Sequence, residues 1–177
     1  MANSFIGNYS PDDFTIVIAK DDFLHTITGF ADGNFISMNR LVPSSTPYQG
    51  VGNSNSFGRV KRNVTGMTID VILHQYSPSN SVLQQLQIAD ANTTDNQWVF
   101  NCMIRDVSGQ TVVSSNSAII AAPPSVDFGS DTSTRTWQIY LFGSDLFVGG
   151  NMPLSDSEVA AVEAAGGTVD PRWQLNP

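Results

Sequence analysis

The sequence predicts a mainly β fold of about eight strands joined by turns, with one internal helix and a short C-terminal helix. Composition is the first indication: only 14% of the 177 residues are charged, against about 25% in ordinary domains. Polarity comes instead from 20 Ser, 13 Thr and 14 Asn, which suit strands and turns better than long helices with charged faces. The second indication is the alternation of apolar and polar side chains along several segments.

Strands are predicted wherever apolar residues recur at every second position. The clearest segment is 65–75, where Met67, Ile69, Val71 and Leu73 alternate with more polar neighbours. Such a pattern is typical of a strand with one buried face. Further strands are predicted at 14–20, 23–28, 34–42, 57–62, 97–107, 111–122 and 134–142.

Helical spacing occurs in two places. Val82, Leu83, Leu86 and Ala89 predict a helix over about 80–91, with Ser79 or Asn80 as its N-cap and an apolar stripe on the sheet. The string 155–158 (Ser-Asp-Ser-Glu) matches a capping box and begins a short Ala-rich helix that Gly166-Gly167 ends. Because residues 144–177 hold five acids and one base, we expect a β domain over 1–143 and an acidic C-terminal extension over 144–177.

Charge and cysteine content exclude several classes of function. A net charge of −8 with only eight Lys plus Arg disfavours tight binding to nucleic acid or to an anionic membrane surface. Cys102 is the only cysteine, so no internal disulfide is possible, and its apolar strand setting predicts a buried, unreactive thiol. No signal peptide is visible and the apolar runs are too short to span a bilayer, so we expect a soluble protein made in a cytoplasm.

No motif for catalysis, metal binding or cofactor binding is found. The sequence has no Walker loop, no G-x-S-x-G elbow and no zinc spacing of Cys and His. His25 and His74 fall within predicted strands, where structural roles are more common than ligation. The pairs Asp12-Asp13 and Asp21-Asp22 flank one strand; turn chemistry explains them, and a carboxylate site for a cation such as calcium is the alternative.

One long segment without charge stands out between the strands. Residues 43–56 are rich in Pro, Gly, Ser and Asn and predict a loop, and a loop of this length is commonly functional. Beside it lie three of the eight basic residues, Arg59, Lys61 and Arg62, which we expect either on a solvated strand face or in salt bridges to another copy of the chain. The segment consists of Pro43, Ser44, Ser45, Thr46, Pro47, Tyr48, Gln49, Gly50, Val51, Gly52, Asn53, Ser54, Asn55 and Ser56.

Four strings, taken in order over about Ser10 to Phe142, make the chain resemble the tail tube proteins of contractile-tailed bacteriophages. They are 29–33 (Gly-Phe-Ala-Asp-Gly), 77–83 with Ser-Pro-Ser-Asn at its start, 106–111 (Asp-Val-Ser-Gly-Gln-Thr), and 123–137 with Pro-Pro at its start. The resemblance implies an antiparallel β-sandwich or partial barrel with one packed helix, similar in fold to the ring protein of type VI secretion systems. It extends only to about residue 142, so the role of 144–177 stays open.

The resemblance also implies a function. Six copies would form a ring, and stacked rings would form the inner tube of a phage tail in the virion, assembled in the host cytoplasm. The implied partners are a contractile sheath protein outside, a tape-measure protein inside and genomic DNA that passes through the lumen without specific binding. The segment 43–56 would reach the adjacent ring. Catalytic, metal and cofactor residues are expected to be absent.

Charge is consistent with such a conduit, because an acidic or neutral bore repels DNA and a basic one would retain it. We therefore expect a net negative lumen, with Arg59, Lys61 and Arg62 at subunit contacts. The alternatives are a type VI-like ring protein, a carbohydrate-binding β-sandwich and a hydrolase with an unrecognised site. The carbohydrate alternative needs exposed aromatic side chains on one face, whereas Trp98 and Trp137 fall on apolar strand faces and are predicted to be core residues.

Overall fold

A computed structural model of the chain describes residues 6–50 and 56–175. Two α-helices, α1 (Ser79–Ala91) and α2 (Asp156–Ala164), accompany the strands, together with 3₁₀ turns at Pro11–Asp13 and Pro171–Trp173. The strands are β1 (Phe14–Lys20), β2 (Phe23–Thr26), β3 (Ile36–Arg40), β4 (Ser45–Gln49), β5 (Phe57–Lys61), β6 (Met67–His74), β7 (Phe100–Asp106), β8 (Val112–Ile120), β9 (Thr134–Phe142) and β10 (Asp145–Phe147).

Two sheets form from these strands. In the larger one the hydrogen-bonded order is β2-β1-β7-β8-β9-β6-β3, and β10 pairs with β8 off this path. The smaller sheet contains only β4 and β5. The predicted fold class, a mainly β antiparallel protein with one internal and one C-terminal helix, is confirmed, and no closed barrel forms within the described residues.

The larger sheet curls, because a short piece of chain links two strands that are distant in its order. After β2 ends at Thr26, Phe30 already forms an antiparallel bridge with Leu73 of β6, and the Ala31 amide donates to the Ile72 carbonyl at 2.9 Å. Four residues span at most about 14 Å, whereas five strand spacings in a flat sheet measure about 24 Å. The sheet is therefore bent towards itself at this end, as a partial barrel requires.

The core lies on the inner face of this sheet. In β6 the side chains of Met67, Ile69, Val71 and Leu73 are all buried, and each faces a residue of β9 across the ladder. Helix α1 adds Leu83 and Leu86 to the same core. These residues each remove a large apolar surface from water, at about 25 cal/mol per Å². The remaining buried apolar residues are Phe14, Ile16, Ile18, Ile27, Ala31, Phe100, Cys102, Ile104, Val113, Ala118, Ile120, Trp137, Ile139 and Leu141.

The chain divides into two compact units. The larger comprises Val17–Met103 and Ser114–Asp145, and contains most of the sheet together with α1 and the β4–β5 pair. The smaller comprises the described parts of Met1–Ile16 and Leu146–Pro177 together with Ile104–Val113. In the smaller unit the buried Asp106 carboxylate accepts hydrogen bonds from Ser108 Oγ at 2.6 Å and from Asn151 Nδ2 at 3.1 Å, so the segment after β10 is tied to the β7–β8 turn.

Three local predictions differ from the structure. Residues 45–49 form strand β4 rather than a loop, because they pair with 57–61 across the segment that separates them. Trp98 lies in a turn before β7 and is only half-buried, whereas Trp137 is a core residue as predicted. Helix α1 has Pro78 at its N-cap, and Asn80 inside the helix donates to the His74 carbonyl at 2.8 Å and the Ser77 carbonyl at 3.1 Å instead of capping.

Candidate assembly surface

The pair β4–β5 is an antiparallel hairpin that is exposed on both faces. Its ladder pairs Ser45 with Lys61 and Gln49 with Phe57, and backbone hydrogen bonds extend it at both ends, from Gly50 to Ser56 and from Arg62 to Ser44. Every residue of β5 is exposed. Of the predicted segment 43–56, residues 51–55 lie outside the described residues.

Alternation along the hairpin separates its side chains into two faces. One face carries Phe57, Arg59 and Lys61, with Phe57 76% exposed. The other carries Tyr48 and Val60, which are 66% and 41% exposed. Each face therefore carries exposed apolar side chains, and exposed apolar surface on a strand pair is typical of a surface that another molecule covers.

The three predicted basic residues lie together on this hairpin, Arg59 and Lys61 in β5 and Arg62 directly after it. None of them forms a salt bridge with any residue in the described ranges. Other cations have partners: Arg135 donates to Ser133 Oγ at 2.7 Å, and Arg172 pairs with Asp170 at 2.6 Å. The hairpin therefore presents free positive charge on an otherwise acidic chain.

The base of the hairpin is fixed by a polar cluster that sequence analysis missed. Arg40, at the end of β3, donates to the Thr65 carbonyl at 2.8 Å and to Ser144 Oγ at 3.0 Å, and Ser144 is 1% exposed. The Leu41 amide donates to the Gly66 carbonyl at 3.1 Å and closes the base. Because 104 positions separate Arg40 from Ser144, no local pattern could indicate this contact.

A second surface feature is an apolar groove of about 740 Å³ beside α1. Its apolar lining includes Phe23, Val82, Leu86 and Trp98, and its rim includes Lys20, Asp21 and Asp22 of the β1–β2 turn, with Ser81, Gln85, Ala89 and Gln97 completing it. Lys20 and Asp21 form a salt bridge at 3.3 Å. Asp21 is the only non-glycine residue in the described ranges with a positive φ, 48°, which is consistent with the predicted tight turn.

The two histidines occupy strands, as predicted, and both contact neighbouring side chains. His25 Nε2 lies 2.9 Å from Ser79 Oγ, which also accepts from the Thr28 amide at 3.0 Å. His74 stacks on Tyr76 with ring centroids 4.8 Å apart. Asp12 and Asp13 belong to the first 3₁₀ turn. Within the described residues, no cluster of three or more His, Cys, Asp or Glu side chains could hold a metal ion.

Cys102 lies on the buried face of β7, and its burial raises the pKa of the thiol to about 12. At neutral pH the thiol therefore stays protonated, and the protonated form is a poor nucleophile. No helix in the described part of the chain is long and apolar enough to cross a bilayer.

Comparisons with solved structures define the class of fold. A chain of the anti-feeding prophage cap, described as the tube terminating cap of that particle, superimposes with a TM-score of 0.52 at 10% identity over 84% of this chain and 99% of that one. A chain from the virion of the native gene transfer agent particle gives a TM-score of 0.52 at 11% identity, over 80% of this chain and all of that one. The chain thus shares its fold with a subunit of a tube terminating cap and with a subunit of a gene transfer agent virion.

Sequence comparison identifies the family. No family model matches the chain. "Structural protein ORF10" of Pseudomonas phage KPP10 is 34% identical over 167 residues, which cover 93% of this chain and 95% of that protein. The chain belongs to the family of this phage structural protein, and the resemblance to phage tail proteins that the sequence motifs indicated is confirmed.

Proposed function

We propose that the protein is the subunit of a phage tail tube and acts in the virion without catalysing a reaction. Six copies form a ring, and stacked rings form a hollow conduit for DNA, with a contractile sheath outside and a tape-measure protein inside during assembly in the host cytoplasm. Membership of a phage structural family and a fold shared with a tube terminating cap support this proposal.

The observation that matters most is the β4–β5 hairpin. An isolated two-stranded hairpin is marginally stable in water, and this one buries neither of its faces. Covering Phe57 on one face of the hairpin, or Tyr48 and Val60 on the other, with another subunit would remove apolar surface from water and stabilise both partners. A hairpin of this kind suits a chain whose function is to join copies of itself.

The finer predictions follow from the same proposal. Segment 43–56, of which residues 45–49 form strand β4, contacts the adjacent ring, and Arg59, Lys61 and Arg62 contact a neighbouring subunit. The acidic extension 144–177, which holds α2, covers a neighbouring subunit, touches the sheath or decorates the outside of the tube.

Replacing residues 44–62 with a short Gly-Ser linker tests the proposal. Because the base at Leu41 and Gly66 is retained, the rest of the chain should fold, which circular dichroism and thermal unfolding would verify. We expect negative-stain microscopy to show tubes for the natural chain and only single rings for the variant.

A matched control removes exposed apolar side chains elsewhere. Val126 and Phe128 are 52% and 87% exposed, so V126S/F128S loses comparable surface outside the hairpin and should leave tube length unchanged. Normal tubes from the linker variant would remove the hairpin from the mechanism, and a natural chain that never forms rings or tubes would contradict the proposed function.

A further inference from the structure

We infer that the apolar groove beside α1 is the receptor for the β4–β5 hairpin of a second copy of this chain. The inference rests on the proposed function and specifies which surface the hairpin contacts. Three properties of the two surfaces support it: their chemistry, their charge and their positions in the sheet.

The chemistry of the two surfaces is complementary. The hairpin presents Phe57 at 76% exposure, and the groove offers an apolar lining that includes Val82, Leu86 and Trp98. The groove volume of about 740 Å³ is sufficient for an aromatic side chain and its flanking strand. An aromatic side chain in an apolar pocket is the usual form of a strong interface contact.

The charges are also complementary. Residues 43–62 contain three of the eight basic residues and none of the sixteen acidic ones. This segment therefore has a net charge of +3, and the remainder of the chain has −11. Asp21 and Asp22 stand at the groove rim, and no cation in the described residues is within salt-bridge distance of Asp22. Arg59 follows Phe57 on the same face at a spacing of about 7 Å, so Phe57 can enter the groove while Arg59 approaches the rim.

The positions of the two surfaces favour contact between copies rather than within one. In an antiparallel sheet of the order described, β2 and β3 are the first and seventh strands and run in the same direction. The β1–β2 turn at the groove precedes β2, and the hairpin follows β3, so the two features lie towards opposite ends of the strands. Two different surfaces at opposite ends of a subunit give a head-to-tail contact that repeats along a stack.

Charge reversal with rescue tests this contact. R59E/K61E makes the basic face of the hairpin acidic, and D21N/D22K makes the acidic groove rim basic. Asn is chosen for position 21 because it tolerates a positive φ. Each variant should reduce the pelletable assembled fraction about tenfold or more, since close interfacial charge pairs contribute at least about 1.5 kcal/mol. The combined variant R59E/K61E/D21N/D22K should regain assembly, because its acidic hairpin meets a basic rim.

Each outcome is decisive for one claim or the other. Two results would overturn the groove assignment and leave the tube proposal intact. In the first, the rim variant assembles like the natural chain. In the second, both single-surface variants lose assembly and the combined variant does not regain it. A natural chain that stays monomeric at every concentration overturns both. S125E/S130E, on exposed positions between β8 and β9, controls for added negative charge and should assemble normally.

Cross-linking gives a second, independent test. Gln49 lies opposite Phe57 on the hairpin and Ser81 lines the groove, while the natural Cys102 is buried. Under mild oxidation the assembled Q49C/S81C variant should form a ladder of disulfide-linked chains, whereas Q49C/S125C, with its second cysteine at an exposed position outside the groove, should not. Assembled Q49C/S81C protein without a ladder would contradict the contact.

Discussion

Two antiparallel strand pairs in this protein have equally regular ladders and opposite surroundings. In β6–β9, the inward positions are closed to solvent, and Ile69 faces Ile139 with both at 0% exposure. In β4–β5, Tyr48 and Phe57 project into solvent. Backbone pairing is therefore common to both, and burial is what separates a pair that stabilises the subunit from one that is available to a partner.

The difference also separates the two kinds of damage that a substitution can cause. Removing side chains between β6 and β9 leaves a cavity that the closely packed interior fills only in part. Removing side chains from β4–β5, which buries neither face, should leave the stability of the subunit nearly unchanged and alter only what the subunit can bind. The predictions below test this separation.

The largest effect is expected for Ile69→Ala in β6. Loss of a fully buried aliphatic side chain typically costs about 2–5 kcal/mol in the free energy of unfolding, which urea denaturation would measure. Val60→Ala on the hairpin should change the same quantity by less than about 0.5 kcal/mol. Similar losses for the two variants would show that the hairpin contributes to subunit stability as the core does, and would refute the contrast between β6–β9 and β4–β5.

A smaller effect is expected at the polar contact between α1 and β9. Trp137 is buried, and its indole N–H donates to Asn80 Oδ1 at 2.8 Å. Asn80→Ala leaves that donor unsatisfied and should lower the free energy of unfolding by about 1–3 kcal/mol. In a Trp137→Phe background the same substitution should cost less, because the orphaned donor is gone; equal costs in both backgrounds would exclude this mechanism.

The smallest effect is expected at α2, which like the hairpin buries no residue. Hydrogen bonds from the Ser155 hydroxyl, and then from its backbone N–H, lower the pKa of Glu158. A carboxyl with a lowered folded-state pKa stabilises the fold above its unfolded pKa, and this contribution is lost as the pH falls through the folded value. In an NMR titration below pH 5, the α2 amide signals should therefore show a transition in the natural chain.

Glu158→Gln keeps a hydrogen-bonding side chain at the same capping-box position but removes the titrating group. The α2 amide signals of the variant should therefore lack the transition that protonation of Glu158 causes in the natural chain. A nearby carboxyl provides an internal reference, since hydrogen bonds from Arg172 lower the pKa of Asp170 to about 2 in both chains. A transition of unchanged size in the variant would assign the pH dependence to another group.

Features encoded within a few residues could be predicted from the sequence. The alternation along β6 and β9 predicts both strands with their ends within two residues of those in the structure, since one buried face requires a period of two. The capping box predicted at Ser155 and Glu158 is present, and the Ser155 amide donates to Glu158 Oε2 at 2.7 Å. In each case the residues that fix the structure are neighbours along the chain.

Features that depend on distant residues could not be predicted. Pro47 and Ser45 of β4 have low strand propensity, and they form a strand only because β5 supplies the partner. Trp98 continues the alternation of Phe100 and Cys102, yet the chain turns before it reaches the sheet. In the candidate site, the positions of the basic residues relative to the groove depend on the sheet order, which no local pattern contains.

The protonated state of Cys102 has a consequence for endurance. A phage particle outside its host meets oxygen and peroxides, which attack thiolates and convert them to sulfenic and higher acids. Here the only thiol of the chain is buried and protonated. Storage in air should therefore neither cross-link neighbouring copies through disulfides nor oxidise Cys102 in the core.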